Sequence, residues 1–259
     1  MKTDYQKVYE HNFVEIFKLT DQIYFRYASW DERNQCNGGF IVFDDFLAVI
    51  DAPGVEGAKE MLAEAAQLFG PKPIKYVILT HGHWDHADGL PVFTELGAAV
   101  IGSANMLKKL EAGGVQLPEL SVGIERSARI VIGGMAFEPF TLPGSVHSEE
   151  DLFIVVPSEN MVFTGDAVAE LPNLFFGNGD FDNWLAALDV IEAKNFATIC
   201  VGHGRVKDGS HFAVQRAYFN ALNGAVDDDN DSAKKAAEMA GENVAARHIA
   251  ALRERRQAQ

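Results

Sequence analysis

Three histidines fall within six residues, at His81, His83 and His86, and Asp85 stands between the last two. A lone histidine is more often a packed or surface residue than a ligand. Three at this density beside a carboxylate, directly after the apolar run Tyr76–Leu79, point to metal binding. In an extended segment, residues two apart face the same way, so His81 and His83 can grip one ion together. Asp85 and His86 follow as the chain turns toward a helix, and they can face a neighbouring position. Gly82 lets the backbone pass close to the site. Imidazole and carboxylate ligands suit zinc, and also iron or manganese.

Further candidates come from distant segments, each at a strand end. His147 sits in TLPGSVHSEEDL, a turn between two strands. Asp166 closes the apolar strand of MVFTGDAV, and His203 closes that of TICVGHGRV. Singly they read as well as a polar turn residue, a capping carboxylate and a turn histidine. Their joint appearance with the first cluster favours function, which concentrates on loops placed by a rigid scaffold. Ser145 and Ser148 flank His147 but have no second histidine nearby, so they read as turn residues rather than nucleophiles.

The elements that must position these groups follow from hydrophobic periodicity and turn signals. Short strands are predicted at Ile23–Arg26, Phe40–Phe43 and Leu47–Ile50, with a hairpin turn at Asp44-Asp45. A helix follows over Val55–Phe69, stopped by Gly70-Pro71. Tyr76–Leu79 is a buried strand feeding THGHWDHADGL, and Ala98–Ile101 is another. The second half carries strands at Arg129–Ile132, Phe137–Phe140, Leu152–Val156, Met161–Thr164 and Thr198–Val201, and a helix at Asn183–Ala193. Past Ser210 the pattern is helical, with a break at Asn223–Asp231. Hairpins interrupt the βα alternation, which argues against a doubly wound parallel sheet. The α/β (α+β) class predicted is two mixed sheets packed face to face with helices outside. The division expected is a main domain over residues 1–209 and a C-terminal helical extension over 210–259.

Composition bounds the function. Hydrophobic residues make up 47% and charged residues 23% of the 259, a soluble globular balance. No apolar run reaches the ~20 residues of a membrane helix. The polar start MKTDYQKVYEHNF shows no secretory h-region, which points to the cytoplasm. The formal charge of −15 disfavours nucleic acid. Cys36 and Cys200, the only cysteines, read as two unpaired thiols. DDDND at Asp227–Asp231 reads as a solvated linker, and His211 and His248 read as surface residues.

HGHWDH, followed by His147, Asp166 in TGD and His203 in GHG, resembles the metallo-β-lactamase superfamily in order and separation, from about Ile23 to Arg205. The resemblance implies an αββα sandwich with a metal site along one edge between the sheets. It implies that His81, His83 and His147 bind one metal, that Asp85, His86 and His203 bind a second, and that Asp166 bridges them. The cofactor implied is two divalent ions per chain, zinc first, with Mn2+ or Fe2+ as alternatives. A shared hydroxide would then attack the substrate, with Asp85 orienting it. Asp51, Thr80 and Ser145 are candidates for fixing the histidine tautomers. Asp51 follows the buried run LAVI, where a carboxylate needs a partner.

Substrate specificity belongs to the surrounding loops. Tyr27–Asn37 carries Trp30; Glu170–Phe181 carries Leu174, Phe175 and Phe176; Trp84 lies inside the metal motif. Trp30, Trp84, Phe175 and Phe176 are candidate pocket walls, favouring a small neutral or partly apolar substrate over a polyanion. An ester, lactone, thioester or amide-type bond is the expected target, with β-lactam or phosphodiester hydrolysis as alternatives. Lactonase relatives often carry a tyrosine where this chain has Ala169. Glyoxalase II-like thioesterases share the bridging aspartate and a helical C-terminus, and true β-lactamases generally lack that aspartate as a ligand. Persulfide dioxygenases of similar pattern would instead hold one iron, here through His83, His147 and Asp166. Partnership is expected with a small molecule, with no nucleic acid or membrane, and with self-association open.

Overall fold

The computed structural model describes residues 5–29, 36–176 and 179–258. The chain opens with an antiparallel meander: β1 (Gln6–His11), β2 (Val14–Lys18), β3 (Ile23–Ala28), β4 (Gly38–Val42) and β5 (Leu47–Ile50). Helix α1 (Val55–Phe69) crosses over to β6 (Ile74–Ile78), which pairs parallel with β5. Next come α2 (Trp84–Ala87), α3 (Leu90–Thr94), β7 (Ala99–Ser103), α4 (Ala104–Ala112) and β8 (Val122–Ile124). β7 and β8 extend the parallel side, giving one eight-stranded sheet in sequential order.

A small hairpin, β9 (Ile130–Ile132) and β10 (Met135–Phe137), precedes the second sheet. That sheet contains β11 (Ile154–Val156), β12 (Met161–Gly165) and β13 (Thr198–Val201), with α5 (Phe181–Glu192) between the last two. β12 and β13 run parallel, so both end at the same edge. Helices α6 (Ser210–Val226), α7 (Asn230–Ala240) and α8 (Glu242–Ala258) complete the chain.

The layering follows from period-two alternation along strands buried on both faces. On β5, Leu47 and Val49 pack outward with Ala58 and Met61 of α1. Ala48 and Ile50 pack inward with Ile78 and Ile101, and with Ile154, Phe163 and Cys200 of the second sheet. On the far side, Val162 and Ile199 pack with Trp184 of α5 and Phe212 and Phe219 of α6. The result is four layers: helix, sheet, sheet, helix. Because both faces of these strands are covered, they read as apolar runs rather than alternating ones.

Three expectations are corrected. The N-terminal strands β1 and β2 and the short β8 were not in the predicted set. The helical break is tighter than Asn223–Asp231, because α6 continues to Val226 and Asp229 caps α7 by accepting from the Asp231 amide. The acidic run is therefore a capped turn, further tied by Arg253 to Asp228 and Arg256 to Asp227, each at 2.6 Å. Finally, His211 and His248 are not simple surface residues. Half-buried His211 places Nε2 2.8 Å from the Ala169 carbonyl, and His248 is buried between Tyr218 and Leu174.

Candidate metal centre

The edge where β6, β12 and β13 end collects the seven candidate ligands. His81 lies just beyond β6, and the chain stays extended to His83, which precedes α2 with φ −67° and ψ 150°. The first turn of α2 then carries Asp85 and His86, with the His86 amide donating to the His83 carbonyl at 2.9 Å. From the second sheet, Asp166 follows β12 and His203 follows β13. His147 enters from the turn before β11, where Ser148 donates to both carboxylate oxygens of Asp151, at 2.8 and 2.9 Å. Burial pushes the Asp151 carboxyl up to about 7.

The side chains sort into two clusters. One donor atom each from His81, His83 and His147 lie within 4.8 Å of one another, and so do those of Asp85, His86, Asp166 and His203. Asp166 stands between the clusters. Its Oδ2 is 3.5 Å from His147 Nε2 and 3.2 Å from His203 Nε2, while Oδ1 is 3.2 Å from His86 Nε2. Asp85 Oδ2 lies 3.2 Å from His203 Nε2.

Groups behind the clusters set ring orientation. Asp51 Oδ2 accepts from His86 Nδ1 at 2.9 Å, which turns Nε2 inward. Asp51 also accepts from the Thr80 amide at 2.7 Å and from its hydroxyl at 2.8 Å. Thr80 Oγ1 in turn stands 3.2 Å from His81 Nδ1. Asp51 holds this place with φ +58°, a left-handed conformation that aspartate tolerates better than most residues. Asn37 fixes the His203 loop: its amide group donates to the carbonyls of Val201 and Gly204 and accepts from the Ala28 amide. The Asp166 turn is braced from behind, where Ala167 O accepts from Trp184 Nε1 and Gln215 Nε2. Ser145, by contrast, lines a separate cavity of about 550 Å³ and its carbonyl accepts from Asn183.

The electrostatics divide the clusters. Burial drives His81 well below its ordinary value and His147 down to about 4, and it lowers His83 as well. These three rings are neutral, and His147 Nε2 stands 2.9 Å from His83 Nδ1, one ring donating to the other. In the other cluster burial acts the same way but is outweighed. Cys36, then Asp166 and Asp51, hold His86 well above its ordinary value, and Asp166 and Asp85 hold His203 up to about 9. Burial would raise the carboxyls of Asp85 and Asp166, yet the facing histidines keep both below the usual range. The donor set fits divalent cations. His81 Nε2 is buried with no hydrogen-bond partner, and His86 Nε2 and Asp166 Oδ1 face each other without one among the described residues. Buried polar atoms are otherwise nearly always satisfied.

The site opens into a cavity of about 660 Å³ lined by His83, Asp85, Asp166 and His203, and by Tyr27, Trp84, Phe175 and Arg247. Trp84 is 52% and Phe175 66% exposed, at the cavity wall. Phe176 corrects the expectation: it is 3% exposed and packs on Trp184, Phe219 and His248, so it belongs to the core. Trp30 lies outside the described residues. Asn173 and Arg247 also reach the cavity but were not singled out in the sequence. No spacing rule links a residue of the C-terminal helix to the motif 160 positions earlier.

A layered α/β sandwich carrying paired histidine–carboxylate clusters at one sheet edge defines a metal-dependent hydrolase. The chain belongs to the metallo-beta-lactamase superfamily, whose family description matches residues 31–203. It is 29% identical over 167 residues to a hydroxyacylglutathione hydrolase of Ruegeria pomeroyi, covering 63% of this chain and 58% of that enzyme's length. It is 27% identical to a type 2 metallo-beta-lactamase of Elizabethkingia meningoseptica, covering 75% of this chain and 80% of the relative. The fold matches a metallo-beta-lactamase from Pontibacter korlensis with a TM-score of 0.70 at 19% identity, over 80% of this chain and 99% of the other.

Proposed function

We propose that the protein is a binuclear metallohydrolase that cleaves an ester, lactone, thioester or amide-type bond in a small, partly apolar substrate. The observation that carries this reading is the two-cluster geometry, with the Asp166 carboxylate reaching both. His81, His83 and His147 would hold one ion; Asp85, His86 and His203 would hold the other; Asp166 would serve both. Zinc suits this set best, and manganese or iron is compatible with it. Bound divalent metal supplies Lewis acidity and makes water acidic enough to react near neutral pH.

The chain's own groups do the rest. Asp85 is ionised and faces the cavity, so its carboxylate accepts a hydrogen bond from the attacking water and orients it. Asp51 and Thr80 keep His86 and His81 turned to present Nε2. Trp84, Phe175 and Tyr27 provide the apolar surface that receives the acyl or leaving portion and excludes bulk water. The relatives support hydrolysis in general and do not choose among acyl substrates.

The test is metal analysis of the purified protein joined to a panel of ester, lactone, thioester, β-lactam and phosphodiester substrates. About two zinc or manganese ions per chain, with turnover abolished by chelation, is the expected result. His83→Ala and Asp166→Asn should lose metal and activity together. A single iron per chain with oxidation of a persulfide, or undiminished turnover in either variant, overturns the reading.

A further inference from the structure

The stretch that follows Asp166 is buried yet belongs to no strand. β12 ends at Gly165, and Ala167, Val168 and Ala169 are all enclosed in the core. Backbone donors and acceptors so enclosed need partners. The turn supplies one itself, with the Ala167 amide donating to the Thr164 carbonyl at 3.3 Å. Helix α6 supplies others through side chains. Gln215 Nε2 donates to the Ala167 carbonyl at 2.9 Å, and Gln215 Oε1 accepts from the Ala169 amide at 3.3 Å. One side-chain amide thus serves a carbonyl and an amide two residues apart, as one residue of a parallel strand does. His211 lies one helical turn earlier on the same face of α6, with Nε2 2.8 Å from the Ala169 carbonyl. A carbonyl can only accept, so Nε2 carries the proton.

The other side of the turn is closed by the first sheet. Gly165 has φ +51°, and a Cβ there would lie 2.7 Å from Thr80 Oγ1 and 3.2 Å from His81 Nδ1. Asp166 is therefore gripped between the end of β6 and the face of α6. The same stretch reaches a further ligand loop, because the Glu170 amide donates to the His203 carbonyl at 3.2 Å. Gln215 is 0% exposed and does not line the metal cavity. A polar side chain buried so completely is costly unless paired, and both its donor and its acceptor go to this one turn. Helix α6 lies beyond the residues 31–203 that match the family description.

We propose that Gln215 is a positioning residue of the metal centre, whose side-chain amide, with His211 one turn before it, fixes the turn that aims Asp166 at both ion sites. This rests on the binuclear reading above and adds to it the element that holds the bridge in place.

The test uses full-length protein and needs no turnover. Cobalt(II) titrated into metal-free protein reports site geometry through its visible absorption, and competition against a chromogenic chelator gives zinc affinity. Gln215→Leu keeps much of the bulk and removes both hydrogen bonds. It should weaken binding of at least one ion about 10- to 100-fold and alter the cobalt spectrum. His211→Leu should cost about three- to tenfold, the size of one hydrogen bond. His211→Gln, which can still donate to Ala169, should restore wild-type binding. These half-buried variants carry the test if Gln215→Leu does not fold. Tyr218→Phe is the control on the same helix. It loses a hydrogen bond to His248, so it should lower the urea midpoint and leave affinity and spectrum unchanged. Wild-type affinity and spectrum in both Gln215→Leu and His211→Leu overturn the proposal. So does an equal loss of affinity in Tyr218→Phe, which would make the effect one of general stability. Uptake of a single ion by the wild type would instead overturn the binuclear reading, and weaker binding of that ion in Gln215→Leu would still support the positioning role.

Discussion

The Asp51 carboxylate stands 2.9 Å from His86 Nδ1 while accepting from both the amide and the hydroxyl of Thr80. One buried carboxylate thus ties the end of β5 to the end of β6 and fixes the ring that faces Asp166. Partners of this kind keep a ligand histidine in one tautomer and orientation. Asp51→Ala should weaken metal affinity about 10- to 100-fold. Leaving the Thr80 amide unpaired should also cost about 1–3 kcal/mol of stability. Competition against a chromogenic chelator reads the first, and urea unfolding the second. Wild-type affinity in the variant would remove Asp51 from the metal centre.

Metal uptake should release protons. In the metal-free protein His203 is held up to about 9 and His86 well above its ordinary value, so both are charged at pH 7. Ligation needs the neutral rings. Titrating metal in buffers of different ionisation enthalpy should therefore show one to two protons leaving per chain, and apparent affinity should climb from pH 6 until about 9. The sign for stability is opposite. A histidine whose folded value is raised stabilises the metal-free fold fully below its unfolded value, ~6.5, and loses that contribution as pH rises through about 9. Metal-free protein should weaken over that window, and metal-loaded protein should not. A proton count of zero at pH 7 would contradict the charge state assigned to His203.

The grouping of His81, His83, Asp85 and His86 was legible because they are close in sequence and geometry at short range is local. His147, Asp166 and His203 were legible only together, since each alone is an ordinary turn residue. The sandwich core was readable from apolar strands such as LAVI and TICV, which are covered on both faces. Edge strand β1 was not: QKVYEH is exposed or half-exposed throughout and has no apolar stripe to detect. In the loop after β12, Phe175 and Phe176 look equivalent because irregular backbone has no period. Packing of Phe176 against Trp184 and His248 decides between them. The same holds for Arg247 and His248, adjacent on a helix whose role depends on what it docks against.

Gly202 explains why a small residue precedes His203. A Cβ there would stand 2.0 Å from Asp166 Oδ1 and 2.9 Å from the Gly165 backbone carbon. The backbone angle at Gly202 is not in the left-handed region, so the demand is for space rather than conformation. Gly202→Ala should displace the carboxylate or separate β12 from β13, at about 1–3 kcal/mol, with metal content falling below half. Gly209→Ala, where the nearest foreign atom is 3.7 Å away, is the matched control. Full metal content in Gly202→Ala would mean that Asp166 tolerates the shift and is not a constrained ligand.

A buried ion pair outside the cavity lining separates stability from catalysis. Arg26 on β3 donates to Glu64 on α1 at 2.7 and 3.0 Å, with side chains 0% and 4% exposed. Removing one partner of such a pair strands a charge in a region water does not reach, typically about 3–5 kcal/mol, whereas replacing both with apolar groups of similar volume is often near neutral. Glu64→Ala should therefore lower the urea midpoint strongly. Arg26→Met combined with Glu64→Leu should recover most of that loss. Metal content of the folded fraction should stay at wild-type level in both, because neither side chain lines the metal cavity. If the double variant is no more stable than Glu64→Ala, the pair contributes net favourable energy rather than mutual compensation, and α1 depends on it for docking against the sheet.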